Sequence, residues 1–172
     1  MQLTQFNKKI IKTKNLKNTD ILKICNLKNQ HWEYGIKKQK IWFSQNYNQD
    51  DIHYLIFFKN NLIGYLHLGI KKLEIQSKKK KYVLFRNLIV DKKFRFKGIA
   101  ENIMLFANSY IKKQKKIGFL ICKFKLIKFY EKYGWKRCNK KKITLTDHQH
   151  SKMFFMMFNF NEKKKIKFFY KP

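Results

Sequence analysis

Proline and arginine are nearly missing from this chain of 172 residues. There is one Pro, and of 41 basic residues only Arg86, Arg95 and Arg137 are Arg, which leaves 38 Lys. Acidic residues are also few, 10 Asp and Glu together, so the formal net charge is +31. So little Arg argues against a specific nucleic-acid surface, because the guanidinium fork matches phosphates and base edges better than a lysine ammonium does. Three cysteines, Cys25, Cys122 and Cys138, cannot all pair, and none forms Cys-x-x-Cys. That fits reduced thiols and a cytoplasmic protein. No apolar run approaches the roughly 18 residues of a membrane helix, so no membrane span is expected. Met1 to Ile11 lacks the apolar stretch of a signal peptide. His148 and His150, taken with Cys122 and Cys138, match no zinc spacing, and no metal is expected.

What is present is enough for a core. Hydrophobic residues make up 44% of the chain and aromatics 17%, which excludes disorder. The length suits one domain, placed at residues 1–160, with a basic tail over 161–172. The abundance of Lys, Asn, Ile and Phe, with almost no Pro, is the composition an AT-rich coding sequence gives. The positive charge therefore reads as a solvated lysine surface. It still creates a field that draws anionic ligands in.

The hydrophobic pattern orders the elements. Thr19-Asp20 reads as an N-cap pair before a helical stripe of Ile21, Leu22, Ile24, Cys25 and Leu27. Trp32, Ile36, Ile41 and Trp42 suggest a second helix. Ile52 to Phe58 and Leu62 to Ile70 read as a hairpin about Lys59-Asn60-Asn61. Gln76 to Lys81 reads as a basic loop and Tyr82 to Val90 as a third strand. Ile99, Ile103, Phe106 and Tyr110 space a helix; Ile117 to Cys122 reads as a strand, Leu126 to Tyr133 as a short helix, and the stretches from Trp135 and from Met153 to Phe160 as further strands. Strands first and β-α-β units after give a mixed α/β sheet with helices on its faces.

The most informative stretch is Arg95-Phe96-Lys97-Gly98-Ile99-Ala100. An apolar strand precedes it and a helix follows it. Strand, Gly turn, helix N-terminus is a phosphate cradle, since free N–H groups and the helix dipole both favour an anion and Gly98 adds no Cβ. About thirty residues on stands Phe129-Tyr130-Glu131-Lys132-Tyr133-Gly134-Trp135, a helix end with a Gly stop.

Together these two blocks resemble the GNAT superfamily of acetyl-CoA-dependent N-acetyltransferases, most strongly from Tyr82 to Trp135. The family's central motif is a strand ending in Val, a polar turn, and Arg/Gln-x-x-Gly-x-Gly/Ala opening a helix. Phe96 departs from the usual Gly or Arg at a position used through backbone. The resemblance implies a twisted, mostly antiparallel sheet of six to seven strands with four helices. It implies acetyl-CoA as co-substrate, its pantetheine and acetyl carbonyl aligned by the backbone of Leu88, Ile89 and Val90. The pyrophosphate would sit on the N–H groups of Arg95, Phe96, Lys97, Gly98, Ile99 and Ala100, with charge from Arg95 and Lys97. Tyr130 matches the general acid that protonates the departing thiolate.

No base announces itself. Glu33, His31, His53, His67 and Glu74 are candidates, with Glu33 foremost beside Trp32, and a water relay is the other route. The resemblance implies direct acetyl transfer to a primary amine of a small molecule, such as an amino sugar or aminoglycoside, by a monomer or homodimer. The alternatives are a protein N-terminal acetyltransferase and a non-catalytic nucleic-acid-binding protein on the same scaffold.

Overall fold

The computed structural model describes residues 6–146, 152–160 and 165–170. Two compact units divide the chain, one of residues 1–69 and 86–104, the other of residues 70–85 and 105–172. Two strands and one helix run through both.

The first unit holds strand β1 (Asn7–Lys12), helices α1 (Asn18–Asn29) and α2 (Ile36–Asn46), and strand β2 (Ile52–Phe58). It also holds the first part of β3 (Asn61–Ile75), the last part of β4 (Lys78–Val90) and the opening of helix α3 (Ile99–Lys113). β1 lies antiparallel to β2, from Asn7 opposite Phe57 to Lys12 opposite Ile52. β2 lies antiparallel to β3, with a register shift between Ile56 and Phe57. The hairpin is where the two apolar runs place it. Asp20 stands at the third helical position of α1 rather than at its cap, where its carboxylate accepts from the Lys17 amide and binds Lys9 Nζ at 2.7 Å. An acidic side chain in the first helical turn suits the dipole as well as a cap does. Ile24, Cys25 and Leu27 of α1 pack with Phe43 of α2 onto Leu55, Leu62, Tyr65 and Ile89 of the sheet.

Gly64 of β3 is where the start of α3 meets this sheet. A Cβ there would lie 2.8 Å from Ile99 Cγ2 and 3.3 Å from Ile56 Cβ. Both atoms sit close to the backbone and have little room to move. Gly64→Ala is expected to destabilise by about 1–3 kcal/mol, as overpacking does. Urea unfolding tests this, and an unchanged midpoint would refute the close fit.

The second unit holds the remainder of β3, β4 and α3 with β5 (Ile117–Cys122), helix α4 (Ile127–Lys132), β6 (Lys136–Arg137), β7 (Ile143–Leu145), β8 (Phe154–Phe158) and β9 (Ile166–Phe168). β5 runs parallel to β4 and antiparallel to β8, β8 pairs β6, and β9 pairs β3 antiparallel and β7 parallel. The expected basic loop at Gln76 to Lys81 is instead a two-residue turn. Gln76 and Ser77 both have positive φ, 50° and 61°, the backbone of a tight hairpin, and β4 already starts at Lys78. The expected solvated tail is likewise corrected for its described part. Ile166 and Phe168 alternate inward with Lys167 outward, and they join Tyr82, Leu84, Phe119 and Phe155 in the core. Buried apolar surface outweighs the charge of the lysines, which reach solvent from the opposite face.

The mixed α/β expectation holds, with four α-helices and mainly antiparallel pairing. Nine strands are assigned among the described residues, more than expected, because β1 is lysine-rich with no continuous apolar run and β6, β7 and β9 are only two or three residues long. No described helix is long and apolar enough to cross a membrane.

Candidate active site

In the first unit β4 ends at Val90, and the chain turns at Asp91. The Asp91 carboxylate accepts from Lys93 N–H at 2.9 Å and from Gln30 Nε2 at 2.9 Å, while its own amide donates to Ile63 O. That pins the turn to β3 and α1. The left-handed residues Phe96 (φ 62°) and Gly98 (φ 74°) then reverse the backbone into α3. Phe96 projects fully into solvent, so this position contributes backbone alone. The hydrogen-bond ladder of α3 begins with Asn102 N–H onto Gly98 O, and the amides of the first turn precede that ladder. The 15-residue helix that opens at Ile99, with the Arg95 and Lys97 side chains just before it, is an arrangement that can hold an anion.

β4 is irregular just before that turn. Asn87 has φ 58°, a left-handed residue inside a strand, as bulges use. The described parallel pairing with β5 runs from Tyr82–Ile117 to Leu84–Phe119 and stops, although β4 continues to Val90. An unpaired strand edge offers N–H and C=O groups to an extended ligand.

Tyr130 lies in the second unit, on α4. It is 7% exposed and meets Phe85 and Trp135 edge-on or tilted, with centroids 5.9 and 6.4 Å away. Burial, and secondarily Cys122, push its phenol pKa well up, so it stays protonated. Gly134 (φ 80°) ends the helix, and Trp135 Nε1 donates to Asn108 Oδ1 at 2.9 Å, which locks the helix end to α3.

The base candidates separate. Glu33 and His31 stand exposed between α1 and α2. The His31 Nε2 lies 3.3 Å from Val90 O, and the Arg95 Nη2 is 3.4 Å from its ring. Desolvation lowers the His31 pKa, with the Val90 bond opposing and Arg95 assisting. Glu74 is on β3 in the second unit, opposite Lys167. His53 and His67 are fully buried in a polar network. Thr13 Oγ1 and Tyr65 OH each lie 2.8 Å from the His53 ring, Asp51 accepts from His67 Nε2 at 2.9 Å, and Arg86 Nε donates to His67 Nδ1 at 3.4 Å. Both rings are engaged on both nitrogens, which makes them structural. His148 and His150 lie outside the described residues; Cys122 and Cys138 are core residues.

The His53 pKa is lowered to about 3 by burial first, then by His67, with Asp51 opposing and Arg86 assisting. The ordinary value is about 6.5. Between the two the unfolded chain binds more protons, so stability is complete above about pH 6.5 and falls as pH drops toward 3. Urea midpoints should fall from pH 6.5 to pH 5, and His53→Gln, less stable throughout, should show a shallower slope. Parallel slopes would contradict the assignment.

Two residues that motif reading passed over belong beside this network. Lys28 of α1 and Arg86 of β4 are buried, 3% and 9% exposed, and both approach Trp42 and Tyr47. Lys28 is one Lys in 38 and carries no signal. Arg86 does carry one, because an Arg kept where Lys serves almost everywhere marks a need for the fork.

Residues 49–137, more than half of the chain, match the model of the acetyltransferase (GNAT) domain. The chain belongs to the GNAT acetyltransferase family. Acyltransferase activity follows from that membership. Solved structures agree in fold. Escherichia coli ElaA superposes with a TM-score of 0.67 at 13% identity, over 88% of this chain and 98% of that one. An aminoglycoside 6'-N-acetyltransferase complexed with coenzyme A gives 0.62 at 13%, over 87% and 95%. The ribosomal-protein-S18-alanine N-acetyltransferase of E. coli gives 0.61 at 12%, over 88% and 92%. No curated protein matches the chain. As a GNAT acetyltransferase it has the turn at Gly98 inside the matched segment, together with Asn87, Tyr130 and Arg86.

Proposed function

We propose that this acetyltransferase moves acetyl from acetyl-CoA to a primary amine of a small molecule by direct attack in a ternary complex. The observation that carries the reading is the head of α3, where the amides of the first turn precede the helical hydrogen bonds and follow directly on Arg95, Lys97 and Gly98. They would bind the pyrophosphate, and the open backbone of Leu88, Ile89 and Val90 would align the pantetheine. A neutral amine then attacks the thioester carbonyl and the C–S bond breaks. The thiolate takes the proton of Tyr130, the nitrogen loses one proton to the base, and a proton from water restores Tyr130. The products are the N-acetyl amide and the free thiol. Burial keeps Tyr130 protonated, and the transfer requires the departing thiolate to be desolvated too, which raises its basicity toward that of the phenolate. Glu33, exposed next to His31, is the residue proposed to accept the amine proton, directly or through water.

Thermal shift with acetyl-CoA, then with amines added, tests the reading. Binding to the folded state alone raises the melting temperature. A shift with acetyl-CoA and acetyl transfer to small amines supports the proposal. Transfer confined to peptide N-termini would replace the small-molecule acceptor with a protein.

A further inference from the structure

Lys28 and Arg86 are two cations buried together in the first unit. The Lys28 Nζ sits 3.6 Å from the Trp42 ring centroid and 5.8 Å from that of Tyr47. The Arg86 guanidinium carbon lies 5.6 Å from each of the same two centroids. Like charges sharing two rings in a dry site repel, and the arrangement is unfavourable unless an anion joins them.

No anion of this chain does so. Among the described residues no ion pair joins a carboxylate to either cation; those found include Lys9–Asp20, Lys12–Asp50, Lys14–Asp50 and His67–Asp51. Asp51 is taken up by His67 and the Asn48 amide. Cys25, the thiol beside Lys28, is held protonated by burial and brings no charge. Arg86 spends Nη2 on Asn46 O at 2.8 Å and Nε on His67, yet its Nη1 is buried with no hydrogen-bond partner. A buried guanidinium nitrogen left unpaired is costly and rare. Burial also lowers the Lys28 pKa to about 7, with Arg86 assisting and Cys25 opposing, which is the mark of an ammonium without a counter-ion.

The position suits a substrate. Arg86 precedes Asn87, the left-handed residue of β4, and Leu88, the first of the backbone groups assigned to the acetyl end of the coenzyme. Asn87 and Leu88 are half-buried, and so is Trp42, whose ring both cations approach. Tyr47, buried, accepts from the Asn87 Nδ2 at 2.7 Å and so ties the ring that both cations approach to β4.

We infer that the acceptor is an amine carrying an oxyanion, a carboxylate or phosphate, bound by Arg86 Nη1 and Lys28 Nζ against the Trp42 ring. The inference rests on the acetyltransferase reading above and narrows its substrate class. It also sets polycationic acceptors aside, since an aminoglycoside would bring positive charge to two cations through the field of a +31 protein.

Matched amines test it. Acetyl transfer is followed by thiol release for β-alanine against β-alaninamide and for phosphoethanolamine against ethanolamine. The acidic member of a pair should be preferred by roughly ten- to hundredfold in kcat/KM, the scale of a charge-assisted hydrogen bond. The pair that shows the preference tells carboxylate from phosphate. Lys28→Met and Arg86→Gln should each erase most of that preference, chiefly through KM. A second readout does not need turnover. Glutarate and inorganic phosphate, titrated calorimetrically into the wild type, should bind with one site, and that site should vanish in Lys28→Met. It should persist in Lys38→Met, which removes one exposed charge from α2. Lys28→Met keeps the shape of the stem, so it is informative even if Arg86→Gln fails to fold. Equal use of neutral and acidic amines, with anion binding the same in Lys28→Met and Lys38→Met, would overturn the inference and leave the acetyltransferase reading standing. Anion binding at the Lys28 site, with no acetyl transfer to any amine, would do the reverse.

Discussion

Gly98→Asp is expected to abolish coenzyme binding. At a hundred times its Kd, acetyl-CoA should stabilise the wild type by about 2.7 kcal/mol, which for a chain of this size is a Tm rise of roughly 5–10 °C. The substitution acts twice. Gly98 has φ 74°, where a residue with a Cβ is strained by about 1–2 kcal/mol, so the free variant melts lower. The new carboxylate also stands at the head of α3, and it repels the pyrophosphate proposed to bind there. The readout is therefore the difference with and without acetyl-CoA, not the Tm itself. Gly35→Asp is the matched control. Gly35 has φ 83°, and a Cβ added there would meet no atom within 4 Å. The same substitution thus carries similar strain away from the turn and should keep the full shift. An intact shift in a folded Gly98→Asp variant would remove the turn from the binding site.

Tyr130→Phe should leave the coenzyme Kd unchanged and lower kcat by about a hundredfold or more, the usual weight of a general acid. The hydroxyl is the only group removed, and the ring contacts with Phe85 and Trp135 survive. Because burial raises the phenol pKa, the wild-type rate should show no loss from this group up to about pH 10. A kcat equal to wild type would make Tyr130 a packing residue of α4.

Much of this was readable from the sequence. Ile52 to Phe58 and Ile117 to Cys122 are strands because each is a continuous apolar run that only a buried strand of that length accommodates. The Gly98 turn was legible from its place between strand and helix. Other features were hidden by the lysines. The hairpin at Gln76-Ser77 lacks the Asn-Gly that signals such turns, and Lys78 to Lys81 has no apolar alternation to mark a strand. β9 does alternate, Ile166 in and Lys167 out, but it sits in a run of charge that reads as solvent-exposed. The Lys28–Arg86 pair was beyond sequence reasoning. Nothing local places a helix lysine and a strand arginine on the same two aromatic rings; α1 packing on the sheet does that.

The most direct test of the account is to mix the protein with acetyl-CoA and a panel of small primary amines and to follow free thiol and acetylated amine together. The account predicts thiol release that depends on the amine, matched one to one by N-acetyl product, and greatly reduced in Tyr130→Phe. Folded protein that binds acetyl-CoA yet acetylates none of the amines, or one that releases thiol at the same rate without any amine, would contradict it.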